Sequence, residues 1–229
     1  MFEELEKKVK LKFKNKELIK TAFTHRSYLN EHPGENLAHN ERLEFLGDSI
    51  LGFVVSEHLY HKFPESAEGD LTNFRSALVN ARSLAQISAQ LGLGEHLLLS
   101  KGEEATGGRN RQYLLANTFE SFLGAIYLDS GLEKARTFVE KFLLPTIDEI
   151  VNQKLYKDFK SLLQEESQEK LSVTPIYKII SEEGPDHSKT FRMGVYFDEK
   201  LVAEGQGSSK QRAEQDAAEK ALANFPKMI

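Results

Sequence analysis

The sequence contains no cysteine, which excludes disulfides, thiolate metal sites and a cysteine nucleophile. Proline is scarce, at 6 residues, and glycine stands at 15 of 229, so the chain is neither collagen-like nor of low complexity. No run approaches the roughly 18 apolar residues of a membrane-crossing helix. The opening Met1-Phe2-Glu3-Glu4-Leu5-Glu6 carries no apolar leader segment, so a cytoplasmic protein without a membrane partner is expected. Excess positive charge is missing too: the net charge is -5, with 19 basic and 22 acidic residues up to Tyr156 and 11 and 13 after it. A nucleic-acid partner therefore has to be argued from local patches and not from bulk charge. Gly107-Gly108 has no Lys-Ser/Thr after it, Gly92-Leu93-Gly94 reads as a turn, and no Ser/His/Asp triad can be argued.

What is present is ample core material, with hydrophobic residues at 40% and charged ones at 28%. Residues 1–150 read as an all-α domain. Helical periodicity runs over Asn15 to Phe23, Asn40 to Phe63, Leu71 to Leu91, Asn117 to Leu128 and Leu132 to Ile150. A short flexible linker is expected at 151–156. From 157 to 226 the period changes: Asp158 caps a helix, and Phe191, Met193, Val195 and Phe197 alternate with polar or small residues as a strand. Ile176 to Glu183 and Leu201 to Gln206 flank it as partner strands, and Ser208 and Ser209 open a last helix. The expected fold is thus multidomain, an all-α domain followed by a small α+β module of order α-β-β-β-α.

Glu41, Glu44 and Asp48 stand at i, i+3 and i+7, within about 60° of one another on a helix. Such a stripe is either a solvated face or a site for a hard divalent cation, since crowded carboxylates repel unless a cation neutralises them. Leu43, Leu46, Ile50, Phe53 and Val54 form the side expected to face the core, while Phe45, Leu51 and Val55 flank the carboxylates. Asn117 and Glu120 place an amide and a carboxylate one turn apart in an otherwise apolar helix. Ferritin-like di-iron sites need Glu-x-x-His pairs, which the sequence lacks. His58 and His61 read as residues of a helix end, and His25 as a hydrogen-bonded structural histidine.

The string Asn40-Glu41-Arg42-Leu43-Glu44-Phe45-Leu46-Gly47-Asp48-Ser49 resembles the signature of the bacterial ribonuclease III family. Glu68-Gly69-Asp70-Leu71 and the run from Asn117 to Asp129 support it, as does a C-terminal module like a double-stranded RNA-binding domain. The resemblance implies a homodimeric endoribonuclease that uses Mg²⁺, or Mn²⁺ in its place, to cut double-stranded RNA. It implies Glu44, Asp48, Asn117 and Glu120 as metal ligands, with Asp48 and Glu120 the catalytic pair. Glu41 and Glu68 lie nearer the edge of the cleft, and Phe45 enters a pocket of the partner subunit. The apolar residues flanking the carboxylates would then belong to the dimer interface. The family most often has Asp where this chain has Asn117, which keeps an oxygen ligand and loses a charge. That leaves a weakened site, or a binding-only protein, as alternatives.

In the second module the resemblance implies RNA contacts at Gln164 and Glu165 on the first helix and at Pro185 and His187 in the first interstrand loop. Ser208, Ser209 and Lys210, with Arg212, gather at the start of the last helix, where free N–H groups favour phosphate. Such a module suits A-form duplexes, which are recognised mainly by shape. A DNA-directed metal phosphodiesterase is correspondingly disfavoured. Arg109 and Arg111 either contact RNA or sit in a solvated loop.

Overall fold

The computed structural model describes residues 2–152, 154, 156, 158–185 and 189–225. The chain divides into two compact units, Met1–Tyr156 and Lys157–Ile229. Among the described residues no helix is long and apolar enough to cross a membrane.

The first unit is helical throughout. In chain order it carries α1 (Glu3–Val9), α2 (Lys16–Ala22), α3 (Arg26–Glu31), α4 (Glu41–Lys62), α5 (Glu68–Val79), α6 (Ala81–Leu91), α7 (Lys101–Ala105), α8 (Gln112–Ser130), α9 (Leu132–Phe142) and α10 (Ile147–Asn152). Two of the expected long helices are broken. Asn80 adopts extended backbone and its side chain accepts the Ser83 N–H, ending α5 and starting α6. Pro145 interrupts the run after α9, where the chain turns through one 3₁₀ turn into α10. The segment expected as a linker begins inside α10, and the Tyr156 ring lies edge-on to Phe74 of the helical core.

The centre of this unit is α8, whose residues from Leu114 to Ile126 are buried except for Asn117 and Glu120. A helix apolar all round needs neighbours on every side. Those neighbours are α4, α6, α2 and α9. Phe13, Phe23, Phe119, Phe122 and Phe138 fill the interior, with ring centroids 5.3–5.8 Å apart along the chain of contacts.

The packing of α4 departs from the sequence reading. Leu51 and Val55 are fully buried in the chain's own core and cannot serve an interface, whereas Phe53, expected inside, is 51% exposed. The cause is that α4 packs against α8, α5, α9 and α2 over about half its circumference, and a stripe of the other half stays open. That stripe carries Phe45, Phe53 and Tyr60, which fall within about 80° on the helix.

The second unit consists of α11 (Phe159–Leu171), β1 (Pro175–Glu183), β2 (Thr190–Phe197), β3 (Lys200–Gly207) and α12 (Lys210–Asn224). The strands form one antiparallel sheet in the order β1-β2-β3, with Tyr177 opposite Val195 and Val195 opposite Ala203. The expected α-β-β-β-α order is therefore the observed one. Helix α12 lies close on the sheet through Ala213 and Ala217, because β3 offers Gly205 and Gly207 beneath them. A Cβ on Gly205 would stand 2.1 Å from the Ala217 nitrogen.

One ion pair with a buried carboxylate holds the N-terminal corner of the first unit. The Glu6 carboxylate, 8% exposed, accepts from Lys16 Nζ at 2.6 and 2.7 Å and from the Phe13 N–H at 2.7 Å. Burial alone would raise this carboxyl, but the Lys16 ammonium and the Phe13 amide outweigh it and hold it below its ordinary value. Glu6→Gln should lower the unfolding free energy at pH 7 by about 1–3 kcal/mol, measured by urea denaturation. A carboxyl depressed in the fold contributes fully above its ordinary value of 4.5 and loses that contribution as pH falls through the folded value. The stabilities of the two proteins should therefore converge as the pH is lowered below 4.5.

Candidate active site and nucleic-acid surface

The carboxylates meet because two backbones touch. At Gly47 on α4, an added Cβ would stand 1.8 Å from the carbonyl oxygen of Glu120 on α8. At Gly124, one turn further along α8, it would stand 2.3 Å from the carbonyl oxygen of Leu43. Only residues without a side chain allow this approach. Glu44 and Asp48 lie on either side of Gly47 in the chain, and the crossing brings them beside Glu120.

A buried polar anchor supports the same crossing. The Ala22 carbonyl at the end of α2 accepts from Ser121 Oγ of α8 at 2.8 Å and from Asn40 Nδ2, just before α4, at 3.4 Å. Asn40 in turn gives its N–H to the Thr24 carbonyl at 2.9 Å, and its own carbonyl accepts the Glu44 N–H at 2.9 Å. At the other end of α8, Asp129 accepts the N–H groups of Lys14 and Asn15 ahead of α2. Helix α2 is thus strapped to α8 at both ends, and α4 starts from that strap.

Electrostatics follow from the crowding. Glu120, half-buried, is pushed up to about 7, by burial first and then by the charges of Asp48 and Glu44. Glu44 is raised by burial and by Glu41 and Asp48, and a hydrogen bond from the Asn117 amide partly offsets this. Glu44, Asp48, Asn117 and Glu120 therefore form one interacting group, with Asp48 at the solvent side. The donors are all oxygen, the chemistry of a hard divalent cation. Among the described residues, however, no three His, Asp or Glu side chains gather closely enough to cage an ion by themselves.

The outer acids have partners of their own, although the charge of Glu41 also acts on Glu44. Glu41 is exposed and pairs with Arg26 Nη1 at 3.4 Å, with His39 Nδ1 at 3.7 Å. Glu68 is the first residue of α5 and accepts from Thr72 Oγ1 at 3.0 Å. Phe45 is 77% exposed. Of the histidines, His25 Nδ1 caps α3 by accepting the Ser27 N–H and lies 2.8 Å from Ser27 Oγ. His58 is half-buried, its pKa lowered by burial and by Lys62, and His61 sets its ring edge-on to Tyr60. Arg109 Nη1 donates to the carbonyls of Gly94, Glu95 and Leu97, and Arg111 pairs with Glu103. Both arginines hold the segment that leads into α8.

In the second unit, an open depression of about 480 Å³ runs along α11, lined among the described residues by Ser161, Gln164, Glu165, Gln168 and Glu169. Pro185 is exposed, and His187 lies outside the described residues. At the head of α12, Ser209 Oγ accepts the Arg212 N–H as the helix cap, and Ser208 Oγ accepts from Arg212 Nη1. Lys210 is exposed but engaged: its Nζ lies 3.2 Å from Glu182 of β1 and 5.8 Å from the Phe191 ring centroid. Residue spacing carried no sign of this Glu182 partner. The interior glycines Gly47 and Gly124 did leave a sign, since glycine within a helix costs stability and calls for a packing reason.

Residues 15–147 match a family described as ribonuclease-III-like, and residues 159–225 match the double-stranded RNA binding motif. Among curated proteins, ribonuclease 3 of Streptococcus equi subsp. zooepidemicus is 45% identical over 96% of this chain and 96% of its own length. Ribonuclease 3 of Enterococcus faecalis is 47% identical over 97% and 96%. Among solved structures, a nuclease domain of ribonuclease III from Campylobacter jejuni aligns with a TM-score of 0.59 and 41% identity, covering 63% of this chain and 97% of that one. Its description concerns a region involved in dimer formation.

Gly47→Ala should cost at least about 3 kcal/mol of stability, because its methyl must push one helix backbone off another. Gly102→Ala, in α7 with nothing within 4 Å, should stay within about 1 kcal/mol of the parent. Chemical denaturation of the two variants side by side measures the difference.

Proposed function

This chain belongs to the ribonuclease III family, and from that premise we propose that it is a Mg²⁺-dependent endoribonuclease that cuts double-stranded RNA as a cytoplasmic homodimer. The observation that carries the reading is the α4–α8 crossing, which sets Glu44, Asp48, Asn117 and Glu120 side by side on a chain that also bears a double-stranded RNA-binding motif. The exposed stripe of Phe45, Phe53 and Tyr60 supports the dimer, since a row of large apolar side chains on one helix face seeks cover.

Glu44, Asp48, Asn117 and Glu120 would hold the cation, with Asp48 and Glu120 as the catalytic pair. When bound, Mg²⁺ supplies Lewis acidity: it polarises the phosphoryl group and favours hydroxide over water. The protein's own part is to hold the ligands rigid. Glu120 is fixed by the glycine contact under its carbonyl and by its neighbour Ser121 on the Ala22 carbonyl. Glu44 is fixed by the Asn117 amide. Asn117 adds an oxygen without charge, so this site calls for more Mg²⁺ than one with a fourth carboxylate.

The second unit would bring the duplex to the site. Gln164 and Glu165 on the exposed side of α11, and Pro185 with His187 in the β1–β2 loop, fit two minor-groove contacts. Ser208, Ser209 and Lys210 fit the phosphates between them. Hydrolysis would leave 5'-phosphate and 3'-hydroxyl ends with short 3' overhangs, one strand cut by each subunit. Substrates of this chemistry are duplex regions of ribosomal precursors and structured messengers.

Incubating the protein with an end-labelled long duplex, in Mg²⁺ and in EDTA, and mapping the ends tests the reading. Metal-dependent staggered cuts support it, and binding without cleavage at high Mg²⁺ or Mn²⁺ overturns it. Glu120→Ala should abolish cleavage and leave duplex affinity within about twofold, as a residue acting only on the reacting phosphate would. Lys210→Ala should weaken binding to all duplexes alike and reduce the salt slope by about one. Titrations in increasing salt on two unrelated sequences check this.

A further inference from the structure

Residues 7–16 contain six lysines and no acidic residue, in a chain whose net charge is -5. Lys7 and Lys8 close α1, where basic residues complement the helix dipole and need no other reason. Lys10, Lys12 and Lys14 lie beyond the helix and are not explained that way. They alternate with Leu11, half-buried, and Phe13, which is 2% exposed, so the apolar residues face inward and the three lysines outward.

The segment that carries them is tied down. Leu11 N–H donates to the Glu6 carbonyl and Phe13 N–H to the Glu6 carboxylate. Lys14 and Asn15 give their N–H groups to Asp129. Lys141 of α9 joins the group, its Nζ 3.4 Å from the Lys8 carbonyl. Two acids that hold this segment are already used, Glu6 by Lys16 and Phe13, and Asp129 by two backbone amides and Ser130. Among the described residues, none of Lys7, Lys10, Lys12 and Lys14 makes an ion pair. Fixing several positive charges together on ordered backbone costs self-repulsion, which a polyanion would relieve.

We propose that Lys7, Lys8, Lys10, Lys12, Lys14 and Lys141 form a second contact surface for the phosphate backbone of duplex RNA, carried by the nuclease unit. The inference rests on the reading of the chain as a double-stranded RNA nuclease and adds a surface to it. The surface is distinct from the carboxylates: Asp129, which anchors Lys14, is nine residues along α8 from Glu120, about 13 Å along the axis. It recognises backbone charge and no sequence, and it engages duplexes longer than the roughly 16 base pairs that an RNA-binding module spans.

The test compares the full-length protein with the triple variant Lys10→Gln, Lys12→Gln, Lys14→Gln. A charge-matched control is Lys134→Gln, Lys178→Gln, Lys200→Gln, changed at exposed lysines of other elements. Binding is measured in EDTA across a salt series, with RNA duplexes of about 16 and about 40 base pairs. The expected result is that the first variant alone weakens binding of the longer duplex, by about tenfold at physiological salt, with the salt slope reduced by about 2–3. The shorter duplex should be bound nearly as before. Equal effects of the two variants, or no change in slope, would overturn the inference and leave the nuclease reading standing if the parent still binds and cuts. A parent that neither binds nor cuts duplex RNA would overturn both. Circular dichroism of the triple variant separates loss of contact from loss of fold.

Discussion

Much of the first unit depends on one contact without side chains, the seating of Gly47 against the Glu120 carbonyl and of Gly124 against the Leu43 carbonyl. Interhelical distances of 8–10 Å are set by the side chains at the crossing, and removing them lets two helices approach more closely. Here the close approach falls at the residue between Glu44 and Asp48. The carboxylates therefore project from helices that cannot slide or rotate without a backbone collision. Burial and mutual charge then push Glu120 and Glu44 upward, the electrostatic cost of gathering acids in a partly dry place. The fold bears that cost through the apolar packing around α8 and the polar anchor at Ala22.

The sequence made the broad plan legible, for reasons that particular residues show. Phe191, Met193, Val195 and Phe197 alternate in the sequence because α12 covers one face of β2, although Gly194 between them is buried as well. The interacting group was legible because carboxylates and an amide stand out in an apolar background. Periodicity failed on α4, where Leu51 and Val55 were assigned beside the acids and Phe53 to the core. The buried residues of α4 span about half its circumference, a wider and differently centred face than the apolar pattern indicates. The break at Asn80 was missed although Asn is a common cap, since the apolar pattern of Leu78 and Val79 resumes at Leu84. Pairings across the fold, such as Lys210 with Glu182 or Ser121 with Ala22, depend on tertiary placement that spacing cannot carry.

The two units solve the problem of close packing with the same residue type to different ends. In the first, glycine lets helix meet helix so that functional side chains converge. In the second, Gly205 and Gly207 let α12 settle on the sheet through alanines, with Ser208, Ser209 and Lys210 exposed at the head of the helix. Lys210 rests on Glu182 and near the Phe191 ring, an exposed pair worth at most about 1 kcal/mol and easily exchanged for phosphate.

The alanine seam has a thermal consequence as well. The fully buried cluster of the second unit is Leu163, Val195, Ala217, Ala218, Ala221 and Phe225, and the larger Phe159, Tyr177, Phe197 and Leu222 packed against it are only partly buried. Apolar area removed from water is the main driving force of folding, and alanine removes little of it. The small unit should accordingly be the weaker cooperative block of the chain and open on heating before the phenylalanine-filled nuclease unit does. Limited proteolysis of the warmed protein would leave the nuclease unit as the surviving fragment, and a calorimetric trace would show two transitions, not one.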